Sequence, residues 1–291
     1  MSKKHPVIAV TGSSGAGTTT VKRVFENIFR RDGIRAAVIE GDAFHRFPRK
    51  EMKALIAKAD AEGRSMSHFG PEANEWAALE KQFADYGRTG RCESRLYLHS
   101  DEEAAPFGQE PGTFTAWQPM PADTDLLFYE GLHGCVKTEG IDMVRHVDLK
   151  IGVVPIINLE WIQKIHRDTQ TRGYSKEGVT DTILRRMHDY VHYLCPQFGE
   201  TDINFQRVAM VDTSNPFIAR DIPTAGESAV VVRFKNPRGI DFSYLLAMID
   251  QSYMSRANTI VVPGPRMDLA MQLILTPLIL RLMDIRQAQH R

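Results

Sequence analysis

The chain has 291 residues, and its 36 basic side chains balance 36 acidic ones, for a formal net charge of zero. That length allows one large domain or two small ones, and the balanced charge excludes a whole-protein electrostatic footprint for nucleic acid. The three cysteines, Cys92, Cys135 and Cys195, are too few and too scattered for a disulfide framework or a zinc site, and point to reduced thiols in a cytoplasmic protein.

The opening "HPVIAVTG" is a short apolar run ending in glycine, which is how a strand covered on both faces reads. It begins so early that no room is left for a signal peptide. "TTTVKRVFENIFRRDG" follows as a helix, with Val21, Val24, Phe25 and Ile28 at helical spacing and Gly33 as the stop. "RAAVIEGD" is a second buried strand, so the chain opens as a βαβ unit. Helices are expected at Arg49–Ala61 and Glu72–Tyr86, then a proline-rich loop to about residue 122. "DLLFYEG" and "HVDLKIGVVP" are further strands. Helical patterns cover Leu159–Thr171 and Lys176–Leu194. "FQRVAMVDT" and "ESAVVVRFKN" read as strands, "DFSYLLAMIDQS" as a helix and "TIVVPG" as a strand. The C-terminal segment "MQLILTPLILRLM" is too short to cross a bilayer, and Pro277 should kink or break its helix. Alternating strands and helices give an α/β class: a mixed, mostly parallel sheet with helices on both faces. No linker marks a domain boundary, so residues 1–291 are expected to form one domain.

Between the first strand and helix lies "VTGSSGAGTTT". Gly12, Ser13, Ser14, Gly15, Ala16, Gly17, Thr18 and Thr19 follow the phosphate-loop pattern G-x-x-x-x-G-K-[ST], except that Thr18 stands where the lysine belongs. Such a loop points backbone N–H groups and a helix N-terminus at phosphate, and Thr19 would meet Mg²⁺. A plain Gly/Ser turn is the competing account, but the strand before and the helix after favour phosphate binding. Asp42 ends the second strand, on the edge where ligands bind in open parallel sheets. It could accept a proton, hold a metal, or merely cap a helix. His45 and Arg49 lie on the segment that leaves it, and a basic pair there suits a substrate bearing its own phosphate. Glu130 ends another apolar strand, where phosphate-loop enzymes carry a Mg²⁺-linked acid, and His133 follows it. In "QKIHRDTQTRG", Lys164, Asp168 and Arg172 share a helix face, with Arg167 beside them. They could be surface ion pairs. They could equally be a mobile lid, near residues 159–194, bringing the cations that the loop lacks. His188 and His192 lack a third ligand and read as structural.

Together, "GSSGAGTTT", "EGDAFHRFPR", "LLFYEGLHG" and "KIHRDTQTRGYS" resemble the phosphoribulokinase branch, in its bacterial type, of the phosphoribulokinase and uridine kinase family. The C-terminal "RGIDFSYLLAMIDQSYMSRANTIVVPG" extends the likeness to nearly the whole chain. The resemblance implies a P-loop kinase fold of the nucleotide-monophosphate-kinase-like type. It implies transfer of the γ-phosphate of ATP to O1 of D-ribulose 5-phosphate for Calvin-cycle carbon fixation. It implies Asp42 as general base, Glu130 as the metal-linked acid, and Asp168 and Lys164 as the catalytic lid pair. Arg167 then serves ATP, and Arg172, His45 and Arg49 serve the sugar phosphate; His133 is expected to reach substrate only from its place three residues after Glu130. It also implies NADH as an allosteric activator, AMP as an inhibitor, an octamer, and Arg31, Arg233 and Arg256 as effector-linked residues. The missing loop lysine fits the bacterial type. The redox cysteines of the plant type are absent, since position 16 is Ala and no cysteine precedes Cys92. A uridine- or pantothenate-type kinase is the alternative within the family. An inactive nucleotide-binding regulator is the alternative outside it.

Overall fold

The computed structural model describes residues 4–13, 18–170 and 173–290. Its main sheet uses β1 (Val7–Gly12), β2 (Ala36–Glu40), β3 (Leu126–Gly131), β4 (Leu149–Pro155), β5 (Ile203–Ala209), β6 (Ser228–Phe234), β7 (Tyr253–Arg256) and β8 (Thr259–Pro263). Their order is β2-β3-β1-β4-β5-β6-β8-β7. The first five are parallel, and the last three join antiparallel.

The buried first strand sorts its side chains by alternation. Ile8 and Val10 face one core with α1 (Thr18–Arg31) and α7 (Met267–His290), and Val7 and Ala9 face the other with α3 (Trp76–Thr89). On α1, Val21, Val24, Phe25 and Ile28 form the expected buried stripe, and the Phe25 ring lies 4.6 Å from that of Phe128. Burying one such phenylalanine contributes about 1.5–3 kcal/mol. The carboxyl ends of β2, β3, β1 and β4 therefore share one edge. Glu40 stands level with Glu130 there, and Gly12 level with Val153.

Several boundaries differ from the sequence reading. α2 (Arg49–Ala61) is as expected, but α3 starts at Trp76, because Pro71–Ala73 forms a separate 3₁₀ turn. The lid pattern divides into α4 (Ile157–Gln170) and α5 (Lys176–Asp189), and α5 loosens into a π turn at Tyr190–Leu194. The shorter α6 (Phe242–Met248) follows β6. The edge strand Tyr253–Arg256 carried too few apolar residues to be seen. The expected break at Pro277 is corrected: α7 runs through it. Proline inside a helix costs about 3 kcal/mol. Here Ala270, Met271, Ile274, Leu275 and Ile279 are all buried in the core, and that packing outweighs the lost hydrogen bond.

Candidate active site

Asp42 lies in a 3₁₀ turn, Gly41–Phe44, that follows β2 directly. Its Oδ1 is 3.1 Å from His45 Nε2 and its Oδ2 is 3.6 Å from His99 Nε2. The Asp42 side chain stays 42 % accessible, although basic rings face both oxygens. Burial pushes this carboxyl up, but the hydrogen bond from His45 and the charges of His45 and His99 pull harder and hold it at about 2. For His45 the balance is reversed. Burial lowers its basicity, yet Asp42, helped by Asn74, raises the imidazole above its ordinary range. His68 packs its ring 4.9 Å from His45, and burial together with the His45 charge drives it down to about 3. The site thus holds one acidic group among three imidazoles.

The turn is clamped from outside by Arg95, which donates to the carbonyls of Ala43 and His45 at 2.8 Å each. Its guanidinium lies 3.8 Å from the Phe114 ring centre and 4.9 Å from that of Trp117. Arg49 leads α2 and donates to the His99 carbonyl at 2.9 Å, which fixes it beside the same cluster. Gly112, at φ +86°, is needed where the chain passes Arg49, because a Cβ there would lie 2.5 Å from Arg49 Cβ. His133 is only 4 % exposed, with Nε2 3.1 Å from the Phe69 carbonyl. A carbonyl only accepts, so that nitrogen carries the proton. Burial lowers the ring to about 3, so His133 supports the 67–70 loop as a neutral group.

On α4, Lys164 and Arg167 both bind Asp168, and the Arg167 Nε contact is 3.0 Å. Burial, then the charge of Arg186, lowers Lys164 to about 8 despite Asp168. Burial raises the Asp168 carboxyl, but the hydrogen bond and charge of Lys164, with Arg167, take it below its ordinary range. Glu160, one turn earlier, is buried and accepts from the Tyr190 hydroxyl at 3.1 Å, which ties α4 to the π turn after α5. The charge of Lys164 bears on His68 and that of Arg186 on His45, so both helices direct cations at the Asp42 cluster.

Gly12 ends β1, and Ser13, with 1 % exposure, follows it. Thr18 and Thr19 begin α1, whereas Ser14, Gly15, Ala16, Gly17 and Arg172 lie outside the described residues. Glu130 sits at the end of β3 beside Glu40, which Lys22 binds at 2.6 Å. The hard carboxylate oxygens at this edge are donors of the kind Mg²⁺ takes. Arg233 and Arg256 occupy one row of the sheet, on either side of Thr259. Arg31 is elsewhere, bonded to Asp32 and Thr276.

Sequence reasoning missed His68, His99, Asn74, Arg95 and Arg186. The first four come from the stretch without clear periodicity, and only the tertiary fold brings them to Asp42. Arg186 stands in "LRRM" on α5, and nothing in that stretch separates it from a solvated arginine.

Residues 7–214 match the model of the phosphoribulokinase / uridine kinase family. The chain is 64 % identical over 288 residues to the chromosomal phosphoribulokinase of Cupriavidus necator, covering 99 % of each. It is 57 % identical over 284 residues to the probable phosphoribulokinase of Escherichia coli, covering 98 % of each. It also superposes on the phosphoribulokinase structure from Rhodobacter spheroides with a TM-score of 0.91 and 60 % identity, covering 98 % of this chain and all of that one. The chain belongs to the phosphoribulokinase / uridine kinase family of kinases.

Proposed function

We propose that the chain transfers the γ-phosphoryl group of ATP to O1 of D-ribulose 5-phosphate, giving D-ribulose 1,5-bisphosphate and ADP for carbon fixation. The observation that carries this reading is Asp42, held as a carboxylate among His45, His99 and the Arg49 anchor, at the edge where β1 and β3 also end. An acceptor bearing its own phosphate accounts for so many basic groups around one acid; uridine and pantothenate carry none.

Asp42 is the general base. A carboxylate near 2 does not strip a primary hydroxyl in advance. It orients the hydroxyl and takes the proton as the new P–O bond forms and the bond to ADP breaks. His45, Arg49 and Arg172 hold the sugar phosphate, with His133 behind them. The loop from Gly12 to Thr19 and Arg167 hold ATP. Thr19 and Glu130 would hold Mg²⁺, which supplies charge neutralisation at the phosphates when bound. Lys164, paired with Asp168, is delivered by the lid and stands in for the lysine missing at Thr18. Residues 1–291 act as one cytoplasmic kinase domain. NADH activates it and AMP inhibits it through Arg31, Arg233 and Arg256 in an octamer.

Phosphorus NMR of a reaction with Mg-ATP and ribulose 5-phosphate tests the reading. A second phosphomonoester on C1, matched by ADP, is expected. Unchanged ribulose 5-phosphate would refute it.

A further inference from the structure

Asn74 is 3 % exposed, and its side-chain amide has both hydrogens committed. Nδ2 lies 2.9 Å from the His68 carbonyl and 2.7 Å from the Gly70 carbonyl. Turning the amide round would set its oxygen against two other oxygens, so Oδ1 is the atom that accepts. It lies 2.9 Å from His45 Nδ1, and that nitrogen must therefore carry a proton. On the far side of the ring, Nε2 lies 3.1 Å from Asp42 Oδ1. A carboxylate also only accepts. A neutral imidazole has one N–H and cannot serve both neighbours.

We propose that Asn74 is a positioning residue for phosphoryl transfer: by claiming Nδ1 it obliges His45 to be an imidazolium. The cation then ties down Oδ1 of Asp42, so that Oδ2, which His99 approaches only to 3.6 Å, is the oxygen that takes the acceptor hydroxyl. It also keeps a positive charge beside the sugar phosphate. The inference rests on the reading of Asp42 and His45 given above.

The backbone builds this arrangement in. His45 and Asn74 form an antiparallel bridge, flanked by Arg46 N to Ala73 O and Glu75 N to Phe44 O, each 2.8 Å. The loop that supplies the two carbonyls is itself anchored to the end of α5, where Asp189 accepts from the Ser67 hydroxyl at 2.7 Å. The other groups facing His45 are His68, Tyr97, His99 across Asp42, and Arg186 from α5. Arg186 opposes the imidazolium, and Asp42 and Asn74 favour it.

Two measurements test the proposal. Neutron diffraction from crystals of the full chain at pH 8 reads the protons without any substrate. Deuterium on both His45 nitrogens is expected, and a bare nitrogen on either side would overturn the proposal even if the enzyme acts on ribulose 5-phosphate. The second is the pH profile of KM for ribulose 5-phosphate in Asn74→Leu. With the acceptor gone, the pH at which KM begins to rise should fall by about one unit, a tenfold loss of proton affinity. A profile parallel to wild type, with kcat lowered equally at every pH, would mean that Asn74 is structural only. If the variant does not fold, the neutron result on the wild-type chain decides.

Discussion

Lys164 and Asp168 form an ion pair one helical turn apart on α4, with side-chain exposures of only 16 % and 5 %. Such a pair is no surface ornament. Its burial lowers Lys164 to about 8, so this cation is poised to change its proton when phosphate arrives. In the free protein Lys164 holds its proton less firmly than an exposed lysine; the charge of ATP phosphates should strengthen that hold, so binding at alkaline pH should take up a proton. Calorimetry of Mg-ATP binding in buffers of different ionisation enthalpy should show this uptake at pH 8.5. It should nearly vanish at pH 7, where the lysine is already charged. Lys164→Met should abolish the uptake and lower kcat by about 10²–10³-fold. Equal uptake in wild type and variant would separate Lys164 from the phosphates.

Asp42→Asn keeps the shape of the turn and removes the proton acceptor. The expected result is a fall in kcat of about 10²–10⁴-fold with KM for ribulose 5-phosphate nearly kept. Steady-state kinetics read both, and near-wild-type turnover would end the base assignment.

Arg49→Ala should act on the other parameter. Losing a charge-assisted contact worth about 1.5–3 kcal/mol raises KM for the sugar phosphate about 10–100-fold. Gly112→Ala is a second route to the same end. Its Cβ would press on Arg49 Cβ, so the same KM should rise in a variant that touches no substrate. An unchanged KM in both variants would remove Arg49 from the substrate site.

Pro277 is exposed on α7, in a helix that continues past it. Pro277→Ala restores one hydrogen bond and relieves a clash, so it should stabilise the protein by about 1–3 kcal/mol. The midpoint of urea unfolding should rise; a fall would show that the ring packs in a way that offsets its cost.

The parts of this protein legible in the sequence are those written in short-range pattern. The apolar run Val7–Val10 followed by glycines, the stripe of α1, Glu130 near the end of β3, and Asp42 just behind β2 could all be read locally. Asn74 and His99 could not, because an isolated Asn or His carries no periodicity and no motif. They reach Asp42 through the His45–Asn74 bridge and the loop that Arg49 pins. Pro277 misled because local propensity yields to tertiary burial. The lowered Lys164 was also invisible, since it comes from burial and from Arg186 on another helix, whereas the depressed Asp42 owes most to His45, one turn along the chain, and the rest to His99 and His68.

This chain is expected to phosphorylate ribulose 5-phosphate although its Gly loop lacks the lysine. ADP release with Mg-ATP, measured in parallel with ribulose 5-phosphate, uridine and pantothenate, each with and without NADH, tests it most directly. Release with ribulose 5-phosphate alone, raised by NADH, is the predicted result. Release with uridine or pantothenate instead, or bound ATP with no release in any well, would contradict it.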